Sequence, residues 1–161
     1  MDTAIVRKGA LLIGAVIICQ GIGLIGSLFT TQKIPTWYAT LVKPAFNPPS
    51  WLFGPVWICL YLLMGISLFL LFQEKESCAR TRALTLFGLQ LVMNALWSFL
   101  FFGLESPLYG LIGIVLLLIA IILTMGASYR VSRLAAYLFI PYVCWVAFAT
   151  IVNYFIYIMN P

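Results

Sequence analysis

Three apolar stretches of the chain carry polar and aromatic side chains three or four residues apart. Residues so spaced share one face of a helix, and amides in hydrocarbon are costly unless paired, so each stripe should face protein or a cavity. The stripes therefore predict the walls of a ligand pocket, although amides also commonly bond helix to helix without any ligand. They comprise Trp57, Tyr61 and Met64; Gln90, Asn94, Trp97, Ser98 and Phe101; and Tyr142, Trp145, Ala149 and Asn153.

Residues that support metal or acid–base chemistry are scarce. The chain has no histidine, which removes the commonest metal ligand and the most frequent general base. Its four cysteines show no C-x-x-C spacing, and Cys19, Cys59 and Cys144 lie in apolar runs, where cysteine behaves as a small hydrophobe. We therefore predict no metal site and no covalently bound cofactor.

Composition identifies the solvent around these stripes. Of the 161 residues, 64% are hydrophobic and 8% are charged, whereas a soluble domain has about 25% charged residues. Such a chain cannot cover its surface with polar groups, so it is predicted to be an integral membrane protein. Nucleic-acid binding and disulfide-stapled secretion are excluded, and no soluble domain fits beside the membrane segments in a single domain over residues 1–161.

Charged residues divide the chain into five uncharged segments, each longer than the roughly 20 residues that span a bilayer as a helix. Their apolar runs are continuous rather than alternating, which favours helices over barrel strands. The predicted fold is an all-α membrane protein, a five transmembrane helix bundle. Its approximate spans are Ala10–Phe29, Trp51–Phe72, Leu84–Phe102, Leu108–Tyr129 and Ala135–Ile158.

Glycines in the first span spell G-x-G-x-x-G at Gly21, Gly23 and Gly26. This motif binds a dinucleotide only between a strand and a helix, so inside a membrane span it indicates close helix packing. Small residues also suggest a surface for a homodimer, with packing inside one bundle as the alternative. The candidates are Ala10, Gly14, Gly21, Gly110 and Gly113.

The positive charges predict an orientation. Seven Lys and Arg residues fall on the side of the N-terminus and two, Lys33 and Lys43, on the other. The positive-inside rule then places the N-terminus in the cytoplasm if the chain belongs to a bacterial inner membrane. Glu105, in the connection between the third and fourth spans, is predicted to be solvated.

The first connection, residues 30–50, is long and rich in proline and aromatic residues. Proline fixes φ and stiffens a loop, and Pro48-Pro49 before Trp51 suits the entrance of a helix. Aromatic residues here could be interfacial anchors, but the stiffness indicates a lid over a pocket. Lys43 could meet a carboxylate of a ligand or simply face water and lipid phosphate.

In a series of short motifs the chain resembles the TspO/MBR family of tryptophan-rich sensory proteins and translocator proteins. The resemblance covers nearly the whole length, with the motifs in order. They are Trp37-Tyr38, Lys43-Pro44, Asn47-Pro48-Pro49, Gly54-Pro55-Val56-Trp57, Gln90-x-x-x-Asn94-x-x-Trp97, Phe101-Phe102-Gly103 and Pro141-Tyr142-x-x-Trp145-x-Ala147-Phe148-Ala149-Thr150.

The resemblance implies a five-helix homodimer that binds porphyrins, in some cases haem, and other hydrophobic small molecules beneath the first loop. The ligand site would contain Trp57, Tyr61, Asn94, Trp97, Trp145 and Ala149, with Trp37, Tyr38, Pro48 and Trp51 from the lid and Tyr109 where animal members have a tryptophan. Light-dependent porphyrin degradation in some bacterial relatives would make Trp57 and Trp145, facing each other across the pocket, the catalytic residues. Receptor or transporter, porphyrin-degrading enzyme and ligand-regulated scaffold all remain open.

One departure from the family concerns sterols. The pattern associated with sterol binding in animal members has a basic residue where this chain has Ile158, although Val152 and Tyr154 match. Specific cholesterol binding is therefore doubtful, and a bacterial membership is favoured. Without histidine, a free-base porphyrin is also a better expectation than haem.

Overall fold

Five long apolar helices make up most of the chain in a computed structural model that describes residues 3–160. The predicted single domain thus includes three residues, 1, 2 and 161, that lie outside the described part. The helices are α1 (Thr3–Lys33), α2 (Trp37–Thr40), α3 (Phe53–Gln73), α4 (Cys78–Ser98), α5 (Pro107–Tyr129), α6 (Arg133–Tyr137) and α7 (Ile140–Met159). Because α1, α3, α4, α5 and α7 are long and apolar enough to cross a bilayer, the five-helix membrane fold is confirmed.

Helix ends follow local hydrogen bonding more than the limits of the apolar runs. The side chain of Ser77 accepts a hydrogen bond from the Arg80 backbone N–H at 3.2 Å and starts α4 well before the predicted Leu84. The Arg80 guanidinium in turn donates to the Leu71 carbonyl oxygen at 3.0 Å, near the end of α3. Helix α4 therefore begins before its apolar part, and the uncharged run of the sequence marks only that apolar part.

The bundle closes around one hydrophobic core. Helix α1 packs on α3 and α4, α4 packs on α5, and α5 packs on α7. The ring of Trp57 on α3 meets that of Tyr142 on α7 edge to face at 6.1 Å, which links those two helices. Connections between long neighbours such as α3 and α4 are short, so these helices run antiparallel.

Glycines permit the closest helix contacts. A Cβ on Gly23 would collide with the Tyr61 ring, and one on Gly65 would lie 2.7 Å from the Val16 Cα, so α1 and α3 approach closely at both positions. The packing role predicted for Gly23 is thus confirmed. Gly110 and Gly113 on α5 pack against Phe101 and Leu100 of the same chain. Of the small residues suggested for a dimer surface, those on α1 are therefore the remaining candidates.

A single π-helical turn, Phe99–Gly103, ends the third membrane segment. The wider turn buries both Phe101 and Phe102, which follow each other in sequence and would otherwise diverge around the helix. Their rings meet edge to face at 4.8 Å beneath the first loop. This turn supplies the aromatic floor on which the loop rests.

The first loop is held by its own polar groups. The Lys43 ammonium donates to the carbonyl oxygens of Tyr38 at 2.6 Å and Leu41 at 2.7 Å, so it fastens the loop. The Asn160 amide bonds both the N–H and the carbonyl oxygen of Val42 at 2.9 Å. The loop is therefore attached to the end of α7 as well as to itself.

Glu105 is exposed, as predicted for a solvated residue, and it also forms an ion pair. Its carboxylate pairs with the Lys33 ammonium at 2.5 Å, joining the end of α1 to the connection between α4 and α5. Its backbone has φ of 51°, in the left-handed region. The ion pair itself was not predicted, because the two residues are far apart in sequence and meet only after the helices pack.

Candidate functional site

A cavity of about 630 Å³ lies between α1, the beginning of α3 and the second half of α4. Four of the predicted ligand-binding residues line it, namely Trp57, Tyr61, Asn94 and Trp97. They come from the stripes on the second and third membrane helices, as the helical spacing predicts. The structure therefore brings these two stripes to one site.

The two walls of the larger cavity differ in chemistry. The wall formed by α3 and α4 is aromatic, with Phe53, Trp57 and Phe102 among its residues. The opposite wall, on α1, carries small residues, including the three glycines of the G-x-G-x-x-G sequence. The hydroxyls on this wall donate to carbonyl oxygens of their own helix, as Thr30 does to Gly26 at 3.0 Å. The larger cavity is consequently a mainly apolar slot between the aromatic rings of one wall and the small residues of α1.

A chain of hydrogen bonds ties three helices together behind this slot. The Tyr61 hydroxyl donates to Oδ1 of Asn94 at 2.5 Å, and Nδ2 of Asn94 donates to the Tyr142 hydroxyl at 2.6 Å. Asn94 and Tyr142 are almost fully buried. The predicted alternative for Asn94, a bond between helices, is therefore present, even though the residue also lines the cavity.

A second, much smaller cavity of about 30 Å³ lies beneath the first loop. Five predicted residues line it, namely Tyr38, Pro48, Trp97, Trp145 and Ala149. The Tyr38 hydroxyl donates to Oδ1 of Asn47 at 2.8 Å. Burial raises the pKa of Tyr38 above its usual value, while the bond to Asn47 lowers it in part. Its phenol is thus neutral at physiological pH.

The two tryptophans predicted to face each other are separated. Trp57 lines the larger cavity and packs on Tyr61 and Tyr142, whereas Trp145 lines the smaller cavity and meets Phe53 edge to face at 6.3 Å. Phe53 lines both cavities. Its ring occupies the position between them.

The three other predicted residues line neither of these cavities. Trp37 packs edge to face on Phe101 at 5.3 Å and supports the loop instead. Trp51 is 72% exposed and Tyr109 is 52% exposed, as expected for aromatic side chains at a membrane surface. Their roles are anchoring and support in this conformation.

Sequence reasoning missed the glycine wall and the phenylalanines of the site. Gly21, Gly23 and Gly26 were interpreted only as packing residues, and Phe53 and Phe102 lay outside the stripes. The signal that could have found the wall is a run of small residues opposite aromatic stripes, because only small residues leave room for a flat ligand.

The linings of both cavities, as far as residues 3–160 are concerned, contain no Asp, Glu, Lys or Arg side chain. Within the same described range, no three His, Cys, Asp or Glu side chains come together as a metal site. The groups available are rings, hydroxyls and amides, which suit binding by stacking and hydrogen bonding.

Comparison with known proteins agrees with the motifs. The sequence model of the TspO/MBR family matches residues 15–159. The tryptophan-rich protein TspO of Chlorobaculum tepidum is 46% identical over 145 residues, covering 89% of this chain and 92% of that protein. The TspO protein of Archaeoglobus fulgidus is 45% identical over 149 residues, 92% of this chain and 96% of its own length.

A human relative extends the comparison to animals. The translocator protein of Homo sapiens is 39% identical over 133 residues, covering 81% of this chain and 78% of that protein. The similarity thus spans almost all of the bundle, including the loop and the helices that line both cavities. The chain belongs to the TspO/MBR family.

Proposed function

We propose that this membrane protein is a receptor, sensor or transporter for a porphyrin or another flat hydrophobic molecule, bound in the larger cavity. The observation that carries the proposal is the slot itself, about 630 Å³ between aromatic side chains and a glycine wall. Small-molecule pockets usually occupy about 300–1,000 Å³ and are mainly apolar with a few polar groups. The slot meets both conditions.

The shape of the slot favours a planar ligand. Aromatic rings such as those of Trp57 and Trp97 offer stacking or edge-to-face contact, worth roughly 0.5–1.5 kcal/mol per ring beyond burial. A side chain in place of Gly23 would have to displace the Tyr61 ring. The α1 wall therefore projects no side chain into the cavity at this position. A flat tetrapyrrole fills such a space better than a globular molecule does.

Free-base porphyrin fits the residues better than haem does. Haem iron needs an axial ligand such as His, Cys, Met or Tyr. Tyr61 is the one residue of these four types in the lining among the described residues, and its hydroxyl is bound to Asn94. The protein would therefore hold a porphyrin as a ligand and not as a fixed prosthetic group.

Light-dependent degradation of a porphyrin is the competing function. It would require Trp57 and Trp145 to act on one ring, but the two residues lie on different cavities with Phe53 between them. The arrangement of these two residues therefore favours ligand binding over degradation. A ligand-regulated scaffold would use the same slot without transport or turnover.

Protoporphyrin binding in lipid nanodiscs tests the proposal. Quenching of tryptophan fluorescence should be saturable, and Trp57→Phe should weaken binding several-fold because one stacking contact is reduced. Trp51→Phe is the matched control, since Trp51 is exposed and lines neither cavity. Equal affinities of wild type and Trp57→Phe, or no saturable quenching, would contradict the proposal. Loss of porphyrin absorbance on illumination would favour degradation.

The proposed function also has a location and an assembly. We propose an inner-membrane protein of a bacterium with its N-terminus in the cytoplasm, since seven of nine Lys and Arg residues fall on that side. A homodimer would use the exposed α1 face around Ala10 and Gly14. Specific cholesterol binding is not proposed, because Ile158 replaces the basic residue of the sterol pattern.

A further inference from the structure

Two buried polar atoms beneath the first loop have no hydrogen-bond partner among the described residues. They are Nε1 of Trp97, which can only donate, and Oδ1 of Asn153, which can only accept. Trp97 is 8% exposed and Asn153 is 3% exposed. Because a buried polar group without a hydrogen-bond partner destabilises the folded protein, a partner is expected for each of these atoms.

Both residues line the smaller cavity of about 30 Å³. A single water needs about 10–15 Å³ of such space and two or more polar neighbours, so the cavity has room for one small polar group. The remaining lining is almost wholly apolar, and the Tyr38 hydroxyl already donates to Asn47. The indole N–H of Trp97 and the amide of Asn153 are thus the hydrogen-bonding groups that a guest would meet.

We propose that the smaller cavity is a subsite for one hydroxyl group, which accepts from Trp97 and donates to Asn153. Water occupies it in the ligand-free protein, and a hydroxyl substituent of a ligand replaces that water. The inference rests on the proposed function, because the ligand lies in the larger cavity. A carboxylate is a poorer guest, because the described lining holds no Lys or Arg side chain to pair with its buried charge.

The position of the subsite suits recognition of a ring substituent. Phe53, Trp97 and Phe102 line both cavities, so one layer of side chains separates the slot from the subsite. A planar ring in the slot would direct an edge substituent past Trp97 toward Asn153. The subsite would then distinguish porphyrins that differ at the ring edge by a hydroxyl.

Mesoporphyrin IX and haematoporphyrin IX provide the matched probes, because they carry ethyl and 1-hydroxyethyl groups at the same two ring positions. In nanodiscs, with affinities corrected for partition into empty nanodiscs, wild type should prefer haematoporphyrin by about fivefold, because its hydroxyl takes over both hydrogen bonds of the ordered water and releases that water. Asn153→Leu and Trp97→Phe should each abolish the preference. Ile156→Val, which changes the same cavity without a polar atom, should keep it.

The water is tested separately by the indole N–H resonance of Trp97 in ligand-free protein, assigned by its loss in Trp97→Phe. The proposal predicts a hydrogen-bonded shift that moves upfield in Asn153→Leu. Saturable binding of both porphyrins without a preference would overturn the subsite while the proposed function stands. If neither porphyrin binds, the proposed function fails, and a free indole N–H in wild type would then overturn the subsite as well.

Discussion

Replacing Asn94 with leucine should destabilise the bundle more than it weakens porphyrin binding. The amide accepts from Tyr61 at 2.5 Å and donates to Tyr142 at 2.6 Å, and it is 2% exposed. Leucine has a similar volume but bonds to neither phenol. The loss of two buried hydrogen bonds, each worth about 0.5–1.5 kcal/mol, predicts a decrease of about 2 kcal/mol in the free energy of unfolding.

Reversible SDS-induced unfolding in mixed micelles measures this change, and a double-mutant cycle with Tyr61→Phe apportions it. The cycle should give a coupling of about 1 kcal/mol, because Tyr61→Phe already removes one of the two bonds. Protoporphyrin affinity measured in nanodiscs should fall less than about threefold, since both polar atoms of Asn94 face phenols of the protein. Unchanged stability together with a tenfold loss of affinity would refute this reasoning and assign the amide to the ligand.

Three further perturbations test separate parts of the structure. Gly23→Ala should lower the unfolding free energy by about 1–3 kcal/mol, because its Cβ collides with the Tyr61 ring, whereas Gly21→Ala, whose Cβ meets open space, should change it little; equal effects in thermal unfolding would contradict the packing of α1 on α3. Glu105→Gly should be about 1 kcal/mol more stable than Glu105→Ala, since both lose the Lys33 pair but only glycine relieves the backbone at φ of 51°. Cys78 at the start of α4 should react with a membrane-impermeant thiol reagent only after spheroplasts are permeabilised; labelling of intact spheroplasts would reverse the proposed orientation.

The helices and their inward faces could be predicted because membrane solvent imposes a simple rule on each position. On α4, Gln90 and Asn94 are buried, whereas the neighbouring Leu89 and Val92 are 50% and 62% exposed. Polar residues turn inward and aliphatic residues meet lipid, so spacing alone identifies the face. The same rule correctly grouped Trp57 and Tyr61 on the inner side of α3.

The contacts that shape the site depend on how one helix is set against another, which periodicity does not encode. Gly23 meets Tyr61 only at one register of α1 against α3, and Trp57 and Trp145 line different cavities only because of how α3 and α7 are set in the bundle. The pair of Lys33 and Glu105 likewise joins segments that are distant in sequence. Such pairings require the packed bundle and could not be read from local sequence.

The central claim, that a flat ligand occupies the slot between α1, α3 and α4, is tested most directly by filling the slot. Gly21 lines it, and a Cβ at this position meets nothing within 4 Å, so Gly21→Phe should fold and place a ring where the ligand would lie. Gly126→Phe is the control, because Gly126 is exposed on α5, away from both cavities, and is equally open. The measurement is the dissociation constant of protoporphyrin in nanodiscs. The structure predicts at least a tenfold weakening, about 1.4 kcal/mol, for Gly21→Phe and no change for Gly126→Phe; wild-type affinity in a folded Gly21→Phe variant would contradict the claim.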